Sequence, residues 1–141
     1  MVQIQIRYEG GLRARAVHGP SRSELVTDAP LDNHGKGESF SPTDLVATAL
    51  GSCMLTVMGI VAERHGWNID GSEVRVEKLM VSDPVRRIGK LVVELRMAGQ
   101  HDERARATLE RTAHTCPVHQ SLLPAIEIPV RFLWNAPAAQ G

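Results

Sequence analysis

Apolar and polar residues alternate with period two in several short stretches of the chain, and between them lies one long run with no charge at all. Residues 2–8 (VQIQIRY) alternate as a half-buried strand does. After two glycines, the segments Leu12 to Val17 and Glu24 to Thr27 can complete an N-terminal antiparallel meander. Residues 73–82 (EVRVEKLMVS) and 87–98 (RIGKLVVELRMA) alternate again, with DPVRR between them as a hairpin turn. A last strand is expected in IEIPVRFLW, ahead of a short APAAQG tail that, at about 135–141, is expected to be flexible.

The uncharged run, LVATALGSCMLTVMGIVA, predicts a long helix with a full set of start signals. Ser41 is placed to be the N-cap, Pro42 the first helical residue and Asp44 the third, where a carboxylate suits the positive end of the helix. Gly66 ends it, after Glu63, Arg64 and His65. At helical spacing Val46, Ala49, Leu50, Val57 and Ile60 share a face with Cys53, which is therefore expected to be buried. Asp102 caps a second, amphipathic helix, ERARATLERTAHT, with Ala105, Leu109 and Ala113 on one face. A short helix starts at or just after Cys116, with Pro117 in its first turn. Strand runs separated by helices, joined by hairpins and not by regular crossovers, argue an α+β fold of antiparallel sheets around the long helix.

Composition narrows the reading. The chain has 141 residues, enough for one domain over 1–141 with a single core. Its net charge is zero, which points away from nucleic acid and from a charged membrane surface. The 18 residues from Leu45 to Ala62 fall short of a membrane span and are interrupted by Thr48, Gly51, Ser52, Thr56 and Gly59, so a buried soluble helix explains them better. The N-terminus carries charges where a secretion signal needs an apolar stretch, and a cytoplasmic location is expected. The long helix is too apolar all round for one small sheet to cover. Ala47, Gly51 and Gly59 would let another helix approach closely, and an identical subunit is expected to supply the missing cover.

Candidate chemistry centres on two cysteines in unlike settings, Cys53 inside the long helix and Cys116 in HTCPVHQ. In a reducing compartment such a pair reads as working or resting thiols before it reads as a structural staple. Local electrostatics favour Cys116, because a helix N-terminus stabilises a thiolate and His114 or His119 can add positive charge. Burial would disfavour the Cys53 thiolate unless a cation reaches it. Arg13, Arg15 and Arg22 are the candidate cations, and Glu38 or Asp44 could orient such a guanidinium. The run H-x-C-x2-H from His114 to His119 matches no common zinc spacing, so no metal is expected. Gly35 and Gly37 in NHGKGES lack the remainder of a phosphate loop, and neither a Gly-x-Ser-x-Gly elbow nor a His-Glu-x-x-His helix is present, so no cofactor is called for.

The segment SPTDLVATALGSCMLTVMGIVAERHG, followed further on by HTCPVHQSL, resembles the superfamily of osmotically inducible protein C and organic hydroperoxide resistance proteins, and within it the broader OsmC-like branch. The likeness covers almost the whole chain. It implies an intertwined α+β homodimer with long central helices at its core and two active sites at the subunit interface. It also implies a thiol-dependent peroxidase in which Cys53 attacks an organic hydroperoxide, Cys116 resolves the sulfenic acid as a disulfide, and an external dithiol restores both thiols. This reverses the order suggested by local electrostatics. The peroxidases carry a glutamate at the start of the long helix where this chain has Thr43 and Asp44. That departure motivates the alternative of a non-catalytic protein that binds an apolar small molecule at the dimer interface.

Overall fold

A computed structural model describes residues 1–135, so the expected tail falls outside the described residues from 136 onward. The chain divides into two compact units, Met1–Val46 and Ala47–Gly141.

In the N-terminal unit, β1 (Ile4–Gly10), β2 (Arg13–His18) and β3 (Glu24–Asp28) form an antiparallel sheet in the order β1-β2-β3. Gly10 and Gly11 take φ of 86° and 63° in the β1–β2 turn, a conformation that favours glycine. The register places Ile6 opposite Ala16 and Arg13 opposite Asp28. Strand β1 departs from the half-buried expectation, since Ile4, Ile6 and Tyr8 on one face are 59%, 66% and 66% exposed. The alternation is present, but no layer among the described residues covers the face it marks.

After β3 a single 3-10 turn (Leu31–Asn33) leads into the glycine-rich loop. Here the glycines serve backbone packing: a Cβ on Gly35 would stand 1.7 Å from the Ala29 carbonyl oxygen, and the Gly35 N–H donates to the Pro30 carbonyl at 3.0 Å. The loop ends in the expected cap. Ser41 Oγ accepts from the Asp44 N–H at 3.1 Å, and Asp44 Oδ2 accepts from the Ser41 N–H at 2.9 Å, a reciprocal capping box at the start of α1 (Pro42–His65).

The C-terminal unit holds most of α1 together with β4 (Glu73–Val81), β5 (Arg87–Met97), α2 (Glu103–Ala113), α3 (Pro117–Ser121) and β6 (Val130–Trp134). The second sheet has the order β4-β5-β6. Strands β4 and β5 form the antiparallel hairpin, whereas β6 joins β5 in parallel, with Val93 opposite Val130 and Leu95 opposite Phe132. A parallel neighbour needs a long crossover, and α2 and α3 provide it. Asp102 caps α2 by accepting from the Ala105 N–H at 2.8 Å, and Ala105, Leu109 and Ala113 face inward as their spacing predicts. Trp134 ties β6 to α2: its Nε1–H donates to Glu110 at 2.9 Å, and the Arg106 guanidinium lies 5.6 Å from its ring centre.

The core of this unit consists of Leu91, Val93, Leu95 and Met97 from β5, the α2 stripe, and Leu50, Met54, Met58 and Ala62 from α1. Each buried leucine or methionine contributes about 1.5–3 kcal/mol of transfer free energy. The buried stripe of α1 is Ala47, Leu50, Gly51, Met54, Met58 and Ala62, which corrects the expected face around Cys53. In a helix that is apolar all round, side-chain hydrophobicity does not select the face; the sheet does. A Cβ on Gly51 would meet Val76 Cγ2 at 3.0 Å and Val74 Cγ1 at 3.1 Å, so this small residue admits β4 and not the second helix anticipated for it. The opposite side of α1 stays open, with Thr48, Ser52, Thr56 and Ile60 exposed. By length and composition α1 could cross a membrane, as the core helix of a soluble protein also could.

Candidate active site

Cys116 stands at the start of a short helix as its local sequence predicted, whereas Cys53 is less covered than its helix setting predicted. Cys53 lies about three helical turns beyond the cap of α1, on the border between the buried stripe and the open side, and is half-buried. Cys116 is fully buried at the N-cap of α3, where its Sγ accepts from the His119 N–H at 3.3 Å. Both are free thiols. They are neighbours in the fold, although about two thirds of the C-terminal unit separates them in sequence.

Burial pushes the Cys116 thiol above its ordinary value. The His119 amide opposes this, and the neighbouring Cys53 sulfur adds to it. The helix-start effect expected at Cys116 is therefore real but outweighed: the His119 and Val118 amides do not offset the loss of water around a side chain with no exposed surface. Cys116 is the protected thiol of the pair, and Cys53 is the one that solvent and small molecules reach. His114 and His119 stand edge to face beside Phe132, and among the described residues no three His, Cys, Asp or Glu side chains are grouped to hold a metal ion.

The candidate cations fall in the N-terminal unit. Arg13 Nη1 is 3.4 Å from Glu38 Oε2, and its Nη2 is 4.0 Å from Asp28 Oδ2. Arg15 is held between Glu9 and Glu24, each at 3.0 Å. Arg22 sits in the β2–β3 turn with φ of 63°, exposed to solvent. Of the two candidate carboxylates, Glu38 meets an arginine, while Asp44 accepts from the Ser41 amide in the cap. Sequence reasoning missed Asp28, which is 1% exposed and stands across the β2–β3 ladder from Arg13. The signal was available in the register of the meander, had β3 been extended by one residue.

Two surface grooves in the C-terminal unit lie away from the thiols. One, of about 390 Å³, is lined by Trp67, Asn68, Asp70, Gln100 and His101 among others; the second, of about 360 Å³, runs over the charged face of β4 and β5.

Residues 35–131 match the family described as OsmC-like protein. A crystal structure from Psychrobacter arcticus, of a protein named for osmotic stress induction and detoxification response, is 42% identical, with 94% of this chain and 96% of that one covered and a TM-score of 0.89. The chain belongs to the OsmC-like protein family. More distant OsmC-like neighbours share the fold: an organic hydroperoxide resistance protein from Legionella pneumophila (16% identity, 94% and 96% covered, TM-score 0.76) and OhrB of Bacillus subtilis (18%, 94% and 97%, 0.69). No curated protein matches this OsmC-like chain.

Proposed function

We propose that this OsmC-like protein is a thiol-dependent peroxidase that reduces organic hydroperoxides to alcohols. The observation that carries the reading is the pairing of a half-buried Cys53 with a fully covered Cys116 beside it. The Cys53 thiolate attacks the outer oxygen of ROOH; the S–O bond forms as the O–O bond breaks, and the departing alkoxide takes a proton to become ROH. Sulfur has then lost two electrons and stands as the sulfenic acid. Cys116 attacks that sulfur, hydroxide leaves and is protonated to water, and the Cys53–Cys116 disulfide results. An external dithiol reduces it by two thiol exchanges.

A second copy of the chain covers the open side of α1 in a homodimer. The apolar residues beside Cys53 on α1, Ala49, Val57 and Ile60, favour substrates with an alkyl tail. Such a tail gains about 25 cal/mol for each Å² it buries, whereas hydrogen peroxide has nothing to bury. Work on a thiol pair that needs reducing equivalents suits the cytoplasm.

Stopped-flow mixing of the reduced protein with an alkyl hydroperoxide is the test. Thiol loss should far outpace that of free cysteine, Cys53→Ser should abolish it, and Cys116→Ser should leave a sulfenic acid on Cys53 that dimedone traps. A rate equal to free cysteine's, or full turnover in Cys53→Ser, sinks the proposal.

A further inference from the structure

We propose that the external dithiol attacks the oxidised pair at Cys53 and that Cys116 is the sulfur that leaves. This order rests on the reading of the two thiols as a disulfide-forming pair, and it names the step that their unequal cover decides.

Cys53 and Cys116 are neighbours in the fold, yet their cover differs in kind. Cys116 has no exposed surface, and Leu109 and Ala113, the residues of the α2 stripe nearest to it in sequence, have none either. That cover is made by this chain itself, so a partner subunit can add to it but cannot remove it. Cys53 is half-buried, with the exposed Ser52 and Thr56 beside it on α1. At about 100° per residue it stands roughly a quarter turn from the centre of the exposed stripe Thr48, Ser52, Thr56 and Ile60, so a second copy centred on that stripe meets Cys53 at its rim.

Leaving ability points to the opposite order. Burial raises the Cys116 thiol, and the sulfur of a higher thiol departs more slowly. The two effects are unequal. A poorer leaving group lowers the rate by degrees, whereas a sulfur closed to solvent offers an incoming thiolate no line of approach while the fold is intact. The His119 N–H, which already donates to Cys116 Sγ at 3.3 Å, eases the departure by meeting the charge that develops there. One thiolate of the reductant bonds to Cys53 Sγ as the Cys53–Cys116 bond breaks; the electron pair of that bond stays on Cys116, which takes a proton from water. The second thiolate of the reductant then attacks the reductant sulfur of the mixed disulfide. Cys53 leaves as the thiolate that starts the next cycle, and the reductant departs as its internal disulfide, oxidised by the two electrons the protein has gained.

The test forms the disulfide with diamide, which needs no hydroperoxide, and then adds excess 2-mercaptoethanol, a monothiol that cannot close on itself to release the mixed disulfide. Samples are quenched at short times with N-ethylmaleimide in denaturant, and peptide masses show which cysteine carries mercaptoethanol and which carries maleimide. The folded protein should carry mercaptoethanol on Cys53 in at least about tenfold excess over Cys116. The same disulfide attacked in denaturant should show a preference below about twofold, since the cover is gone. Adduct mainly on Cys116, an even split in the folded protein, or an equal preference in denaturant overturns the entry through Cys53. Failure of diamide to join the two cysteines defeats the disulfide reading itself and this order with it, so the two failures are told apart.

Discussion

Oxidation should make this protein much harder to unfold, by an amount that follows from where its thiols lie. Cys53 and Cys116 meet in the folded chain, so joining them closes a loop of roughly 64 residues in the unfolded one. The chain-entropy relation assigns such a loop about 4 kcal/mol of stabilisation. For a chain of this length each kcal/mol moves the melting temperature by about 2–4 °C, so the expected rise is on the order of 10 °C. Thermal melts of the same sample, reduced with a dithiol and then treated with one equivalent of alkyl hydroperoxide, measure the difference at a fixed protein concentration, which matters if copies associate. Cys116→Ser should show no gain. Equal melting temperatures in the two wild-type states, or a gain that persists in Cys116→Ser, would refute the assignment of the bond to this pair.

Three more outcomes follow. Burial raises the Cys116 thiol in the folded state, so the fold holds a proton that the unfolded chain gives up first; stability is complete below the ordinary thiol value near 8.5 and should decline as pH rises above it, a decline that urea titrations should find absent in Cys116→Ser. Met54→Ala removes a side chain with no exposed surface from the stripe of α1 that faces the core, and should cost about 2–5 kcal/mol in denaturant unfolding; a cost below about 1 kcal/mol would contradict the packing described. Ser41→Ala breaks one half of the capping box, and a loss of about 0.5–2 kcal/mol is expected in the same assay, with thiol reactivity unchanged.

The elements were legible because their signals are local. Alternation in residues 73–82 and 87–98 needs only neighbouring side chains to mark a strand, and Ser41, Pro42 and Asp44 satisfy the orphan N–H groups of α1 within a single turn. The stripe Ala105, Leu109, Ala113 was equally plain, since α2 has a polar side to contrast with it. The face of α1 was not legible. With leucine, valine, alanine and methionine all round, every face looks buried, and the close approach of Val74 and Val76 to Gly51 decides which one is. β1 shows the opposite failure, its pattern correct and its apolar face bare.

The two cysteines mark the same boundary. Sequence by itself determined that the chain carries an OsmC-like pattern with two thiols in helix contexts, because motif and capping are properties of contiguous residues. Which thiol is more covered was decided by tertiary structure alone: local reasoning buried Cys53 and activated Cys116, whereas folding leaves Cys53 half-buried and covers Cys116 fully. Desolvation and charge pairing depend on what distant segments bring to a side chain, as Asp28 and Glu38 bring carboxylates to Arg13. No window along the chain contains that information.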